Sequence, residues 1–280
     1  MGKTQGTPGI YFETHGTSGP KLLLIMGFGM RGSLWKPQLD ELSRDHQVAI
    51  FDNRGIGRSD LPAAPFTMRE MAFDALRVVG ELGWERFHLA GVSMGGMVAQ
   101  EVAIRAAERI ASLTLIATHC GGPTGFIPTI AGARAFTAAL AGSPTQRPAA
   151  LERLLYPDAY LATVDRAALA LRVAAQVVDP APFRSLLMQL GAVARFDCRS
   201  RLGDISAPTL VVKPSLDVLV RPSHADALVQ GIPNARLLAY DDAGHGIAFQ
   251  HAVSLSNAIR EHVARAVGRV AASPEAAVAA

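Results

Sequence analysis

Short apolar runs alternate along the chain with longer stretches whose apolar positions recur every three or four residues. Lys21–Met26 carries Leu22, Leu23, Leu24 and Ile25 in succession, the pattern of a strand covered on both faces. Gly9–Thr14, Val48–Asp52, Leu113–Thr118, Thr209–Lys213 and Arg236–Tyr240 read as further strands, as does the run ending at Val92. Helical patterns lie between them. Lys36–Arg44 places Pro37 in its first turn, where the missing N–H is no loss. Thr67–Leu82 opens on Thr67 with Glu70 three residues later, the sequence form of a capping box. Further helices are expected from Met97, from about Ser223 to Gln230, and from about Gln250 to Val267. Strands separated by helices imply an α/β fold, a mostly parallel central sheet with helices on both faces.

The alternation stops between Gly121 and Ile205. That stretch is rich in alanine, leucine and valine at helical spacing, is punctuated by prolines from Pro123 to Pro182, and shows no strand pattern. A helical insertion in an alternating protein is expected to lie as a lid over a site. The predicted organisation is a core of residues 1–120 and 206–270, a helical cap of residues 121–205, and a flexible tail of small residues at 271–280.

Composition narrows the picture. A chain of 280 residues, 49% hydrophobic and 18% charged, can bury one substantial core. The net charge of +3 is scattered, and the excess of arginine over lysine concentrates on no single element, so nucleic acid is not an expected partner. Cys120 and Cys198 have neither a disulfide framework nor metal-ligand spacing, so no metal and no cofactor are expected. The first residues lack the apolar stretch of a signal peptide, and no apolar run approaches the ~20 residues that span a bilayer. These features predict a cytoplasmic protein without membrane contact, a monomer or a homodimer, acting on a small molecule.

The densest chemical signal is Gly91-Val92-Ser93-Met94-Gly95-Gly96, which joins a strand pattern to a helix pattern. A serine on such a turn, with glycine two positions to either side, is the nucleophile elbow. The glycines let strand and helix approach closely around a strained serine, and the positive end of the following helix lies beneath its hydroxyl.

A second glycine motif, Gly27-Phe28-Gly29-Met30-Arg31-Gly32, follows a strand and precedes Asp52 by about the distance of a dinucleotide fingerprint. That reading puts Pro37 inside a helix, where it breaks a hydrogen bond, and leaves the Asn53–Asp60 turn unexplained. The same loop can instead turn the Phe28 amide toward an oxyanion, with the Met94 amide as the second donor. Gly27 and Gly29 would flank the substrate there.

A serine nucleophile needs a base, and the base needs an orienting carboxylate. His245 stands in Gly244-His245-Gly246, between the last strand and the last helix, and is the favoured base. His119, at a strand end, competes with it. His15, His46, His224, His251 and His262 read as surface residues, and His88 as a core residue. Asp217 follows the strand Thr209–Lys213 and is the expected acid; Asp241 and Asp242 read as solvent-facing, Asp52 and Asp60 as structural. Trp35, His119, Phe126, Phe136, Met188 and Val218, together with Gly27 and Gly29, are the candidate substrate contacts.

With Met26–Gly29, Phe51–Asp60, Gly91–Gly96, Asp217 and Gly244–Gly246 in this order, the chain resembles the α/β-hydrolase superfamily, of serine esterase or lactonase type, over nearly its full length. Many members have His-Gly where this chain has Met26-Gly27. In that respect, and in Ser33-Leu34-Trp35, it is similar to actinobacterial esterases that include antibiotic methylesterases. The resemblance implies the α/β-hydrolase fold with a helical cap over residues 121–205. It also implies acyl chemistry at Ser93, since dehalogenase and epoxide-hydrolase branches use an aspartate at the elbow. The expected activity is hydrolysis of an ester or lactone of a hydrophobic small molecule. The open alternatives are a cofactor-free perhydrolase with the same triad, a lyase or cyclase, a ligand-binding member of the fold, and a dinucleotide-dependent oxidoreductase.

Overall fold

The computed structural model describes residues 1–125, 127–143, 145–177 and 181–271. Two antiparallel strands, β1 (Gly2–Lys3) and β2 (Tyr11–His15), edge a sheet whose other members run parallel. These are β3 (Lys21–Ile25), β4 (Gln47–Phe51), β5 (Phe87–Val92), β6 (Ile110–Ile116), β7 (Thr209–Pro214) and β8 (Ala235–Tyr240). The order across the sheet is β1-β2-β4-β3-β5-β6-β7-β8. Helices α1 (Lys36–Leu42), α2 (Met68–Glu81) and α3 (Met94–Arg105) connect the first strands. Five more occupy the stretch after β6: α4 (Ile130–Ala141), α5 (Arg147–Leu155), α6 (Asp158–Thr163), α7 (Arg166–Val177) and α8 (Phe183–Ala194). Helix α9 (Ser223–Gly231) joins β7 to β8, and α10 (Ile247–Gln250) and α11 (Ala252–Ala271) follow β8.

Side chains alternate across the strands, so consecutive residues of one apolar run feed two different cores. Leu23 and Ile25 point with Ala49, Phe51, Leu89 and Leu113 toward α2 and α3, where Met71, Val78, Val98 and Val102 meet them. Leu22 and Leu24 point with Val48, Ile50, Ala90 and Leu210 the other way, against Leu39 and Leu42 of α1 and Leu255, Ile259 and Val263 of α11. This explains why the Leu22–Ile25 run shows no alternation: both faces of the sheet are covered. The Thr67–Glu70 capping box forms as the sequence predicts, with Thr67 Oγ1 accepting from the Glu70 amide and the Glu70 carboxylate from the Thr67 amide.

The stretch from Gly121 leaves and rejoins the sheet region at one point. Gly121 bridges Asp197 in antiparallel fashion, and the Cys198 amide donates to the Cys120 carbonyl at 2.9 Å. Within it a separate apolar cluster forms around Leu151, Leu154, Leu155, Tyr156, Leu169 and Val173. Beyond Cys198, Leu202 and Ile205 pack into the first core, so the last residues of the sequence-defined insertion belong structurally to the sheet side.

The C-terminal helix differs from expectation in two ways. It breaks at His251 into α10 and α11, and it continues through Ala271, the first residue assigned from sequence to a flexible tail. The rest of that tail lies outside the described residues. Among the described residues no helix is long and apolar enough to cross a membrane.

Candidate active site

Ser93 sits between β5 and α3 with φ of 55°, a left-handed conformation that a serine rarely adopts. The surrounding glycines hold it there. A Cβ on Gly95 would lie 2.1 Å from the Ile25 carbonyl oxygen, one on Gly91 would lie 2.3 Å from the Gly95 oxygen, and one on Gly96 would meet Thr118 at 2.6 Å. The Ser93 amide donates to Ile116 O at 2.9 Å, and its carbonyl accepts from Gly96 N and from Thr118 Oγ1. The backbone around Ser93 is therefore fixed on both sides, which maintains the strained φ.

Asp217 follows β7, and its side chain is fully buried. One carboxylate oxygen accepts from the Leu219 and Val220 amides at 2.8 and 2.9 Å; the other meets His245 Nδ1 at 2.7 Å. Three donors satisfy a charge that burial alone would make costly. A carboxylate at Nδ1 keeps the ring proton there and leaves Nε2 free to accept one. Ser93 and His245 line the same cavity, without a hydrogen bond between them. Such pairs often tighten only around a bound substrate.

The Gly27–Gly32 loop lies against the elbow, and a Cβ on Gly27 would stand 3.2 Å from Ser93 Cβ. Asn53 Nδ2 donates to Met26 O at 3.0 Å, and the Gly29 amide donates to Gln189 Oε1 at 2.8 Å. Among the described residues the Phe28 and Met94 amides make no hydrogen bond, while the neighbouring amides of Gly29, Met30 and Ser93 are all engaged. The dinucleotide alternative finds no support in this geometry. Helix α1 starts at Lys36, beyond the glycines, and Asp52 accepts from the Gly32 and Arg58 amides rather than facing a ligand. Asp60 likewise accepts from the Gly9 amide and pairs with Lys3. Arg54, between them, ties the turn to α2 through a 2.6 Å ion pair with buried Asp74. Burial raises the Asp74 carboxyl pKa more than Arg54 lowers it.

A cavity of about 250 Å³ opens over Ser93. Of the candidate contacts, Gly27, Gly29 and Phe136 line it, as does the oxyanion candidate Phe28. The others lie elsewhere. Trp35 is fully buried in the second sheet core, and Met188 packs against the first. Val218 packs beside the insertion cluster and uses its carbonyl to accept from the Thr129 amide and hydroxyl. His119 is turned inward: its Nδ1 accepts from the Gly121 amide, its ring lies against Phe196 and His224, and burial lowers its pKa to about 3. It is not placed to serve as a base. Phe126 lies outside the described residues.

His46, His224 and His262, read from sequence as surface residues, are buried. His262 on α11 reaches the middle of β6 and the residue before β7, where its Nε2 lies 3.1 Å from both Leu113 O and Pro208 O. Most of the remaining cavity wall was not singled out in sequence. Arg147, Leu151, Leu154, Leu186 and Phe249 supply much of it. For the four in the insertion the only sequence signal is its amphipathic spacing, which marks an inward face without saying what the face covers, and Phe249 lies on α10 outside it.

Three loops of the site, those of Gly29, Asp217 and His245, are also held by the insertion. The Asp217 loop receives Thr129 at Val218, the Gly29 amide reaches Gln189 on α8, and the Gly246 amide donates to Leu155 O at the end of α5. The flanking glycines of His245 follow from the last contact. A Cβ on Gly244 would be 2.6 Å from Leu155 O, and one on Gly246 would be 2.6 Å from Tyr156 Cε1. Among the described residues no group of His, Cys, Asp and Glu side chains could hold a metal ion.

The sequence pattern of the alpha/beta hydrolase fold matches residues 20–252. The chain belongs to the alpha/beta hydrolase fold family. Within it, the chain is 34% identical, over 87% of its length and 90% of the relative's, to an Azorhizobium caulinodans protein named "Putative carbamate hydrolase RutD". Two solved structures superpose closely. The enol-lactonase from Burkholderia xenovorans is 25% identical with a TM-score of 0.79, covering 93% of this chain and 98% of its own. A thermophilic esterase from Thermogutta terrifontis is 26% identical with a TM-score of 0.78, covering 94% and 98%. These likenesses place the protein among the hydrolases of the fold.

Proposed function

We propose that the protein hydrolyses a carboxylic ester or lactone of a small, largely apolar molecule through a serine acyl-enzyme. The observation that carries this reading is the placement of Ser93 and His245 on one cavity wall, with His245 Nδ1 held 2.7 Å from buried Asp217. Ser93 Oγ attacks the carbonyl carbon while His245 Nε2 takes the hydroxyl proton, and Asp217 stabilises the imidazolium that forms. The unengaged Phe28 and Met94 amides receive the oxyanion. Collapse of the tetrahedral intermediate expels the alcohol, which takes the proton from His245 and leaves an ester on Ser93. Water, deprotonated by His245, then attacks that ester, and His245 returns the proton to Ser93 Oγ as the acid leaves. The helical insertion acts in this reading as a cap whose leucines exclude water from the reacting carbonyl.

The named chemistry of the relatives supports the same class: a lactone, an ester and a carbamate are each cleaved at a carbonyl bonded to a heteroatom. The ester and lactone are preferred here because the wall is mainly aliphatic and aromatic. Ser93→Ala tests the reading with p-nitrophenyl butyrate. The expected loss in kcat/KM is about 10⁴-fold or more, and retained turnover would remove Ser93 from the mechanism.

A further inference from the structure

One strong cation stands in an otherwise apolar wall. Among the described lining residues, Arg147 and His245 are the only ionisable ones, and no carboxylate faces the cavity with them. Arg147 is the first residue of α5 and is half-buried. Its Nε donates to the Gly142 carbonyl at 2.9 Å, which ties the start of α5 to the end of α4 and sets the plane of the guanidinium. Its other N–H groups meet no acceptor among the described residues.

Half-buried Arg109 and Arg172 donate to backbone carbonyls or a tyrosine hydroxyl, and two arginines that meet sheet-side helices are paired with acids. Arg54 pairs with Asp74, and Arg201 with Glu101. Glu152, the acid on Arg147's own helix, is engaged by Arg166 of α7. The positive end of the α5 dipole lies at Arg147 as well, so no charge of this helix offsets the guanidinium. Half-buried, the guanidinium keeps part of its hydration, and a carboxylate entering the apolar cavity would gain a charge-assisted pair there.

We propose that Arg147 recognises a carboxylate carried by the substrate at a position away from the bond that Ser93 attacks. This rests on the serine-hydrolase reading and narrows its substrate to esters or lactones with a free carboxylate. The acyl body lies against Leu140, Leu151, Leu154 and Leu186, and the carboxylate accepts from the guanidinium fork. A monoanionic carboxylate matches the single arginine, whereas a phosphate dianion would leave a second charge uncompensated among apolar side chains.

Two esters of equal chain length separate this role from a structural one: mono-p-nitrophenyl adipate, ending in a carboxylate, and p-nitrophenyl hexanoate, ending in a methyl. The readout is the ratio of their kcat/KM values. Arg147→Gln is expected to lower the adipate-to-hexanoate ratio about tenfold or more, chiefly through KM for the adipate ester. Arg147→Lys, which keeps the charge without the fork, is expected to restore part of it. An unchanged ratio in the Gln variant would overturn the proposal, as would an equal loss on both esters. Calorimetric titration of adipate into the Ser93→Ala protein reads the same site without turnover, and adding Arg147→Gln should weaken binding about tenfold. If the wild-type chain cleaves neither ester, the hydrolase reading fails while this titration still decides Arg147. Adipate binding indifferent to Arg147 overturns the assignment.

Discussion

The sheet and the helical insertion are built by different means. Around the elbow, backbone packs on backbone: Gly91, Gly95 and Gly96 bring β5, α3 and the end of β3 to distances that no Cβ could share. In the insertion, helices meet through leucine and alanine, and large apolar residues remain outside. Ile130 is 76% exposed, Leu171 75% and Phe183 63%, whereas Leu23, Leu24 and Ile25 of the sheet are 0% exposed. The sheet can hold reacting groups in one geometry because its neighbours allow no other. The insertion supplies part of the aliphatic wall and, among the described lining residues, the arginine that would choose among substrates. The two regions meet at three of the loops beside the site, those of Gly29, Asp217 and His245.

That contrast predicts different sensitivities. The largest concerns acid. His88, His119 and His262 are buried on the sheet side, with burial lowering their pKa values to about 4, 3 and 4, while the sequence of the insertion contains no histidine. Each folded pKa lies below the unfolded value of 6.5. Their stabilisation is therefore complete above that value and is lost as pH falls from 6.5 toward 4, because the unfolded chain takes up protons that the folded one refuses. The expected loss is roughly 2 kcal/mol per histidine by pH 5. Trp35 and Trp84 both lie in the sheet cores, so their fluorescence reports this region in urea titrations. A midpoint unchanged between pH 7 and pH 5 would refute the account of these histidines.

A smaller effect probes the junction. Gly246→Ala puts a methyl 2.6 Å from Tyr156 Cε1 and must push the His245 loop and the end of α5 apart. Displacement of a base by less than 1 Å is expected to lower kcat about 10²-fold. Gly203, with nothing within 4 Å of the added carbon, is the control and should tolerate alanine without loss of turnover. Equal behaviour of the two variants would mean that the insertion does not set the position of His245.

The same division governs what could be read from sequence. The elbow was legible because its requirement is local: a serine that must adopt positive φ under close approach leaves glycines at fixed spacing. The Asp217 and His245 loops were legible through chain order and strand ends. The cavity wall was not. Met188 and Leu186 stand two positions apart on α8, yet Leu186 reaches the cavity while Met188 packs against the sheet core. Helical spacing gives the angle between them but not which direction faces the site. Trp35 and His119 failed as candidates for a related reason: their burial depends on chain segments far away in sequence. Gly244 and Gly246 were noticed as loop residues, but only the docking of Leu155 and Tyr156 explains why they are glycines.

The account turns on Ser93 as an activated nucleophile, and covalent labelling tests this most directly. A fluorophosphonate probe should phosphonylate the wild-type chain, with the adduct mapped by mass spectrometry to the peptide containing Ser93. Labelling should disappear in Ser93→Ala and slow sharply in His245→Ala. An adduct on another residue, or no adduct in a chain that still hydrolyses esters, would contradict it.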